Sequence, residues 1–192
     1  MRLKDCHSFT DFRELARRRL PSPIFNYIDG AADDESTYDR NTKSFEDCDL
    51  VPNVLRGVQD IDMSVEILGQ RLDMPIYCSP TALQRVFHHQ GENAVAAAAD
   101  KYGTLFGVSS LGTVSLADVR KRYPGPQCYQ FYFHKDRELN KVMLENAKNA
   151  NVDIMMLTVD TITGGSRERD LKTCLLYTSD AADEGLGVDL GG

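Results

Sequence analysis

Four short stretches of this sequence carry side chains that could do chemistry. Pro80-Thr81-Ala82, Ser109-Ser110, Gln130-Phe131-Tyr132 and Thr158-Val159-Asp160 each close an apolar run and bring small hydroxyl, amide or phenol groups. Groups of this kind offer neutral hydrogen bonds more than charge. Together they suit a large planar heterocycle carrying carbonyls and ring nitrogens. Pro80-Thr81-Ala82 ends the stretch Met74–Ala82, in which two prolines bracket Ile76, Tyr77 and Cys78. The stretch reads as a short buried strand, Met74–Ser79, opening into a tight loop of small residues. Such a loop lets backbone approach a flat or anionic ligand closely. Serine and threonine also end strands without any ligand, but four such ends in one chain favour a site. No GxGxxG loop is present, which speaks against a nicotinamide enzyme. His88 and His89 are adjacent, so their side chains diverge, and no carboxylate is spaced to complete a metal site.

The elements that must position these ends follow from periodicity. Strands are expected at Met74–Ser79, Leu105–Ser109, Gln127–Phe133 and Ile154–Val159. Between them lie an alanine-rich helix, Gly91–Tyr102, closed by Gly103, and a helix capped by Ser115 that stops before Pro124. A third helix, capped by Asp136, runs through Asn151 with Leu139, Val142, Met143, Ala147 and Ala150 on one stripe. Strand–helix units repeating at about 25 residues imply parallel strands with crossover helices. A doubly wound sheet and a (β/α)8 barrel both begin this way. In either, all four strand ends share the face where ligands bind.

Upstream, Ser8 to Asp11 resembles a capping box, and Phe9, Phe12, Leu15 and Ala16 recur at helical spacing until Pro21 and Pro23 intervene. A short helix from Ile24 to Ile28, a helix start at Asp33–Ser36, loop from Phe45 to Gly57, and a hairpin turning at Leu68-Gly69 complete the lead-in.

Composition bounds the function. The chain has 192 residues, 42% apolar and 27% charged, with net charge −7 and a pI near 5.1. That acidic balance argues against nucleic acid as a partner. Arg17-Arg18-Arg19 reads as a solvated helix face. Five cysteines without CxxC spacing fit reduced thiols. No apolar run approaches the ~18 residues of a membrane helix, and Met1–His7 lacks the apolar core of a signal peptide. The expected location is cytoplasmic, with peripheral attachment to the inner face of the cell membrane left open.

Several separated motifs then converge. Leu-Pro-Ser-Pro-Ile-Phe-Asn-Tyr-Ile-Asp-Gly-Ala (20–31), Met-Pro-Ile-Tyr-Cys-Ser-Pro-Thr-Ala (74–82), Gln-Cys-Tyr-Gln-Phe-Tyr (127–132) and Leu-Thr-Val-Asp-Thr (157–161), with Gly165 and Arg167 to Asp170, occur in order. In these the chain resembles the FMN-dependent α-hydroxy-acid dehydrogenase and oxidase family, which includes glycolate oxidase and L-lactate dehydrogenase. The resemblance runs from about Ser8 to Thr173. It implies a (β/α)8 barrel fold, with 1–73 as helical lead-in and hairpin and 74–173 as about four βα units of the first half-barrel.

The resemblance also implies roles. Pro80, Thr81 and Ala82 match the loop that lies against the flavin ring. Ser109, Gln130 and Thr158 match positions that hydrogen-bond the flavin. Tyr27, Tyr132 and Arg167 match the substrate-contacting residues, whose phenol and guanidinium donors suit a carboxylate. Asp160 matches an aspartate that supports the catalytic histidine. FMN is the implied cofactor, a small 2-hydroxy acid the substrate, and a quinone, a cytochrome or oxygen the electron acceptor. The full-length protein is expected to be a homo-oligomer. Where glycolate oxidases of the family carry tryptophan after Ser109-Ser110, this chain has Leu111, as in lactate-type members, which points to L-lactate.

A complete barrel needs about 250 residues. The family's active-site lysine, histidine base, second substrate arginine and phosphate-binding segment belong to its second half and have no counterpart in this sequence. From Cys174 the sequence leaves the family pattern, and 174–192 resembles translated sequencing adapter. The polypeptide alone is therefore expected to bind FMN weakly and to show no 2-hydroxy-acid oxidation.

Overall fold

The computed structural model describes residues 2–160 and 164–173. The expected adapter-like tail, Cys174 and the motif residue Thr161 lie outside the described residues. The chain divides into two compact units, residues 2–57 with 164–173, and residues 58–160.

The first unit is helical. α1 (Phe9–Arg19) begins with the expected capping box: Asp11 N donates to Ser8 Oγ at 3.2 Å, and Ser8 N donates back to the Asp11 carboxylate at 2.9 Å. α2 (Ser22–Asp29) takes Pro23 into its first turn, where the missing N–H has no partner to lose. α3 (Ser36–Lys43) follows the acidic run, and α8 (Glu168–Thr173) packs on α2. The apolar stripe expected on α1 does not form a core. Leu15 is buried, whereas Phe9 is 82% and Phe12 50% exposed. α1 is tied to α2 instead by a forked ion pair from Arg13 to Asp29, at 2.5 and 2.9 Å.

The second unit opens with a hairpin, β1 (Val65–Ile67) and β2 (Gln70–Leu72), whose turn residues Leu68 and Gly69 both have positive φ. A short helix the periodicity missed, α4 (Gln84–Phe87), precedes α5 (Glu92–Lys101). Then β3 (Phe106–Ser109), α6 (Leu116–Arg122), β4 (Gln127–Tyr132), α7 (Arg137–Asn149) and β5 (Ile154–Thr158) alternate as expected. β3, β4 and β5 form a parallel sheet in that order, with Ser109 opposite Gln130 and Tyr132 opposite Thr158.

Strand parity sorts the side chains. Phe106, Val108, Tyr129 and Phe131 pack with Ala96, Ala99, Val119 and Ala147 from the three crossover helices. On the other face, Cys128 joins Leu72 and Leu105, with Val65, Ile67, Ile154 and Met156 packed against them. The hairpin thereby closes one end of that face. Ser109, Gln130, Tyr132 and Thr158 have the same parity as Cys128 and Ile154, so they lie on the face turned away from the helices.

Two expectations are corrected. Met74–Ser79 is not a strand; it pairs through a single parallel bridge, Cys78 to Phe106. Cys78 N donates to Leu105 O and Gly107 N donates to Cys78 O, but Pro75 and Pro80 have no N–H with which to extend the ladder. On α7 the packed residues are Asn140, Met143, Ala147 and Ala150, while Leu139 and Val142 stay exposed. Asn140 replaces an apolar contact because it clamps the loop after β4, accepting from His134 N at 2.8 Å and donating to His134 O at 2.7 Å.

The end of α5 shows why glycine stands at 103. Gly103 has φ 59, and Thr104 N reaches back to Ala99 O at 3.0 Å. Asp73 N donates to Gly103 O at 2.8 Å, and a Cβ on Gly103 would stand 2.5 Å from Asp73 Cγ.

Candidate functional site

The second unit brings three of the expected residues into one hydrogen-bonded row. Ser109 Oγ donates to Gln130 Oε1 at 3.3 Å, and Gln130 Nε2 donates to Thr158 Oγ1 at 2.7 Å. Register makes this possible: Ser109 lies directly opposite Gln130, and Thr158, two residues beyond Gln130's partner Met156, leaves β5 on the same face within reach of the longer Gln130 side chain. Ser109 and Gln130 are buried, at 6% and 4% exposure. The row is neutral, so it orients donors and acceptors without imposing a charge. Tyr132, half-buried, sits two residues beyond Gln130 on the same face.

The loop after the Cys78 bridge lies against this face. A Cβ on Gly107 would come 2.9 Å from Pro80 N and Cδ, so only glycine admits the loop this close. Pro80 and Ala82 are half-buried and Thr81 is exposed, with Thr81 N folded back onto Ser79 O at 2.9 Å. The loop is joined to the one after β3: Leu83 N donates to Leu111 O at 3.0 Å, and Arg85 N to Thr113 Oγ1 at 3.1 Å. Leu111 N in turn donates to Ser109 Oγ at 3.1 Å. Ser110 Oγ, at the same strand end, is buried without a hydrogen-bond partner among the described residues. Small residues, neutral donors and acceptors in a row, and an unsatisfied hydroxyl fit the edge and face of a flavin ring. Asp160 is exposed just past β5.

The first unit joins Tyr27 to Arg167. The Arg167 guanidinium lies 4.9 Å from the centroid of the Tyr27 ring. It donates to Tyr27 O and, at 3.3 Å, to Gly30 O, and its Nε stands 2.6 Å from the fully buried Asp170 carboxylate. That last contact is a charge pairing rather than a directed hydrogen bond. Beside it, Asp29 takes both Arg13 and Arg169, the latter at 3.0 Å, and Arg169 also pairs with Glu35. The hydrogen bond from Arg13 outweighs burial and holds the Asp29 carboxyl below the usual carboxylate range.

Two residues that organise these loops escaped the periodicity. Asn140 lay on an apolar stripe, where a single amide was the available signal. Glu92 lay next to Gly91 in what read as a helix start, and its burial to 1% exposure has no sequence signature. Among the described residues no group of three or more His, Cys, Asp or Glu is placed to hold a metal, and no helix is long and apolar enough to cross a membrane.

The sequence profile of the family described as FMN-dependent dehydrogenase matches residues 16–183. The chain is 36% identical to glycolate oxidase 5 of Oryza sativa subsp. japonica over 163 residues, 85% of this chain and 44% of the relative. It is 38% identical to an L-lactate dehydrogenase of Vibrio parahaemolyticus over 162 residues, 84% of this chain and 43% of the relative. Among solved structures, a protein provisionally named lactate oxidase, from Pediococcus acidilactici, superposes with a TM-score of 0.87 at 29% identity, over 97% of this chain and 55% of that one. A mandelate oxidase structure superposes with a TM-score of 0.82 at 30% identity, over 87% of this chain and 50% of that one. The chain thus spans about half the length of the relatives it matches.

Proposed function

The chain belongs to the FMN-dependent dehydrogenase family, and from that premise we propose that it supplies the flavin shelf and part of the substrate grip of an enzyme oxidising a short L-2-hydroxy acid, L-lactate by preference. The fold is that of the family's (β/α)8 barrels, of which the described strands and helices form a part. The observation that carries the reading is the row Ser109–Gln130–Thr158, three neutral side chains from three parallel strands hydrogen-bonded on one face beside the small-residue loop Pro80–Ala82.

FMN, when bound, accepts the two electrons removed from the hydroxy acid. Pro80, Thr81 and Ala82 offer the surface for the ring, and Ser109, Gln130 and Thr158 the hydrogen bonds that orient it. Tyr27, Tyr132 and Arg167 are assigned to the substrate carboxylate and hydroxyl, and Asp160 to support of a base histidine; the motif matches support these roles. Leu111 supports the lactate preference. It is an aliphatic side chain, 40% exposed, on a loop fixed to Ser109. The 38% identity to an L-lactate dehydrogenase agrees with this, beside comparable likeness to glycolate oxidases.

The test is a flavin titration. FMN is titrated with the protein and its fluorescence followed; L-lactate, glycolate and (S)-mandelate are then added and the visible absorbance of bound FMN recorded. Quenching that weakens in Gln130→Leu, and a spectral perturbation strongest with L-lactate, are expected. Unquenched FMN at every protein concentration overturns the reading.

A further inference from the structure

Glu92 is a fully ionisable group buried to 1% exposure at the start of α5, and none of the roles above uses it. Its carboxylate takes two hydrogen bonds from one residue, Thr113 N to Oε1 at 2.7 Å and Thr113 Oγ1 to Oε2 at 2.6 Å. Burial raises the pKa of such a group, but the hydrogen bonds from Thr113, with backbone N–H groups of Glu92 and Gln84, outweigh it and keep the carboxyl below its ordinary value. The group is therefore a buried carboxylate, the strongest acceptor a side chain can offer.

What it holds is a junction of two loops. Thr113 belongs to the loop after β3 that carries Leu111. Its hydroxyl also accepts from Arg85 N, in the segment that follows Pro80–Ala82. Leu83 N to Leu111 O makes the second tie between the same loops, and Gln84 Nε2 to Thr81 O fixes the small-residue loop to α4. Packing leaves little slack: a Cβ on Gly91 would stand 3.1 Å from Arg85 N, and one on Gly112 would stand 3.4 Å from Glu92 Oε1.

We propose that Glu92 is a positioning residue, locking the Pro80–Ala82 loop to the Leu111 loop so that both meet the flavin and the substrate as one rigid edge. The proposal rests on the flavin reading above. Glu92 acts through its hydrogen bonds to Thr113 and to the Gln84 N–H.

The test uses the protein with Glu92→Ala, Thr113→Val and Thr113→Ser, titrated against FMN well below each variant's melting temperature. Glu92→Ala and Thr113→Val are expected to weaken FMN binding about tenfold or more, the scale of lost hydrogen bonds to a charged group, and to alter the bound-flavin absorbance. Thr113→Ser keeps both donors and is expected to bind as the unmodified chain does. Faster amide exchange at Leu83, whose N–H pairs with Leu111 O, should accompany the weakened binding. If FMN affinity and spectrum are unchanged in Thr113→Val and Glu92→Ala while only melting temperature falls, Glu92 is structural alone and the proposal fails. If the unmodified chain does not quench FMN, the flavin reading fails and this proposal with it.

Discussion

The guanidinium of Arg167 stacks over the ring of Tyr27, 4.9 Å from its centroid, and the two residues stand 140 positions apart in the chain. The arginine is held on three sides: by the ring, by the carbonyls of Tyr27 and Gly30, and by Asp170. It is thus a fixed cation rather than a solvated one.

Arg167→Ala should therefore cost far more than a surface arginine. It leaves Asp170 buried without a counter-charge, a loss of about 3–5 kcal/mol in unfolding free energy. Arg167→Lys should recover part of it, because an ammonium restores the charge but not the fork. Replacing both Arg167 and Asp170 with apolar residues should cost less than Arg167→Ala alone. Urea unfolding of the four proteins measures the order.

Asp29 predicts acid sensitivity. Its folded-state pKa is depressed, chiefly by the hydrogen bond from Arg13, so its contribution is fully present above the ordinary aspartate pKa and is lost as pH falls through the folded value. Stability should decline below about pH 4, where an ordinary aspartate begins to protonate. Asp29→Asn should flatten that part of the profile and lower stability at neutral pH by about 1.5–3 kcal/mol. Circular dichroism melts across the acid range give both.

The cysteines should separate by reactivity. Burial pushes the Cys128 and Cys78 thiols up, so little thiolate is present at neutral pH, whereas Cys48 is exposed. Brief iodoacetamide treatment followed by peptide mass spectrometry should find Cys48 modified well before Cys78, and Cys128 only after unfolding.

Leu111→Trp should shift ligand preference without disturbing the sheet, because the side chain is partly exposed and the loop is held by backbone contacts. The perturbation of the FMN spectrum by L-lactate should shrink relative to that by glycolate. An unchanged ratio would remove Leu111 from the account of specificity.

Much of this was legible in the sequence because it is local. Ser8 and Asp11 announce a helix start by their spacing, and Ser109, Gln130 and Thr158 announce a shared site because each ends a strand of a parallel fold. Met74–Ser79 has the apolar run of a strand, but Pro75 and Pro80, which bracket it, lack the N–H groups a ladder needs, and only the Cys78 bridge forms. Phe9 and Phe12 misled because a helical stripe states which residues are apolar, not whether anything covers them. Glu92 and the Arg13–Asp29–Arg169 cluster were hidden because each depends on residues far away in the chain, and Asn140 because its partner is the backbone of His134, which no side-chain pattern announces. A buried charge looks like a surface charge until its partners are placed.

The fit between Gly103 and Asp73 has a consequence in mutational terms. Every amino acid reachable from a glycine codon by one base change carries a Cβ. At position 103 that atom would run into the Asp73 side chain while the backbone demanded a left-handed turn. Change at this site is therefore doubly opposed: a shorter residue at position 73 would relieve the contact but not the left-handed turn. A residue with a Cβ at position 103 should therefore be tolerated better beside a short residue at position 73 than beside aspartate.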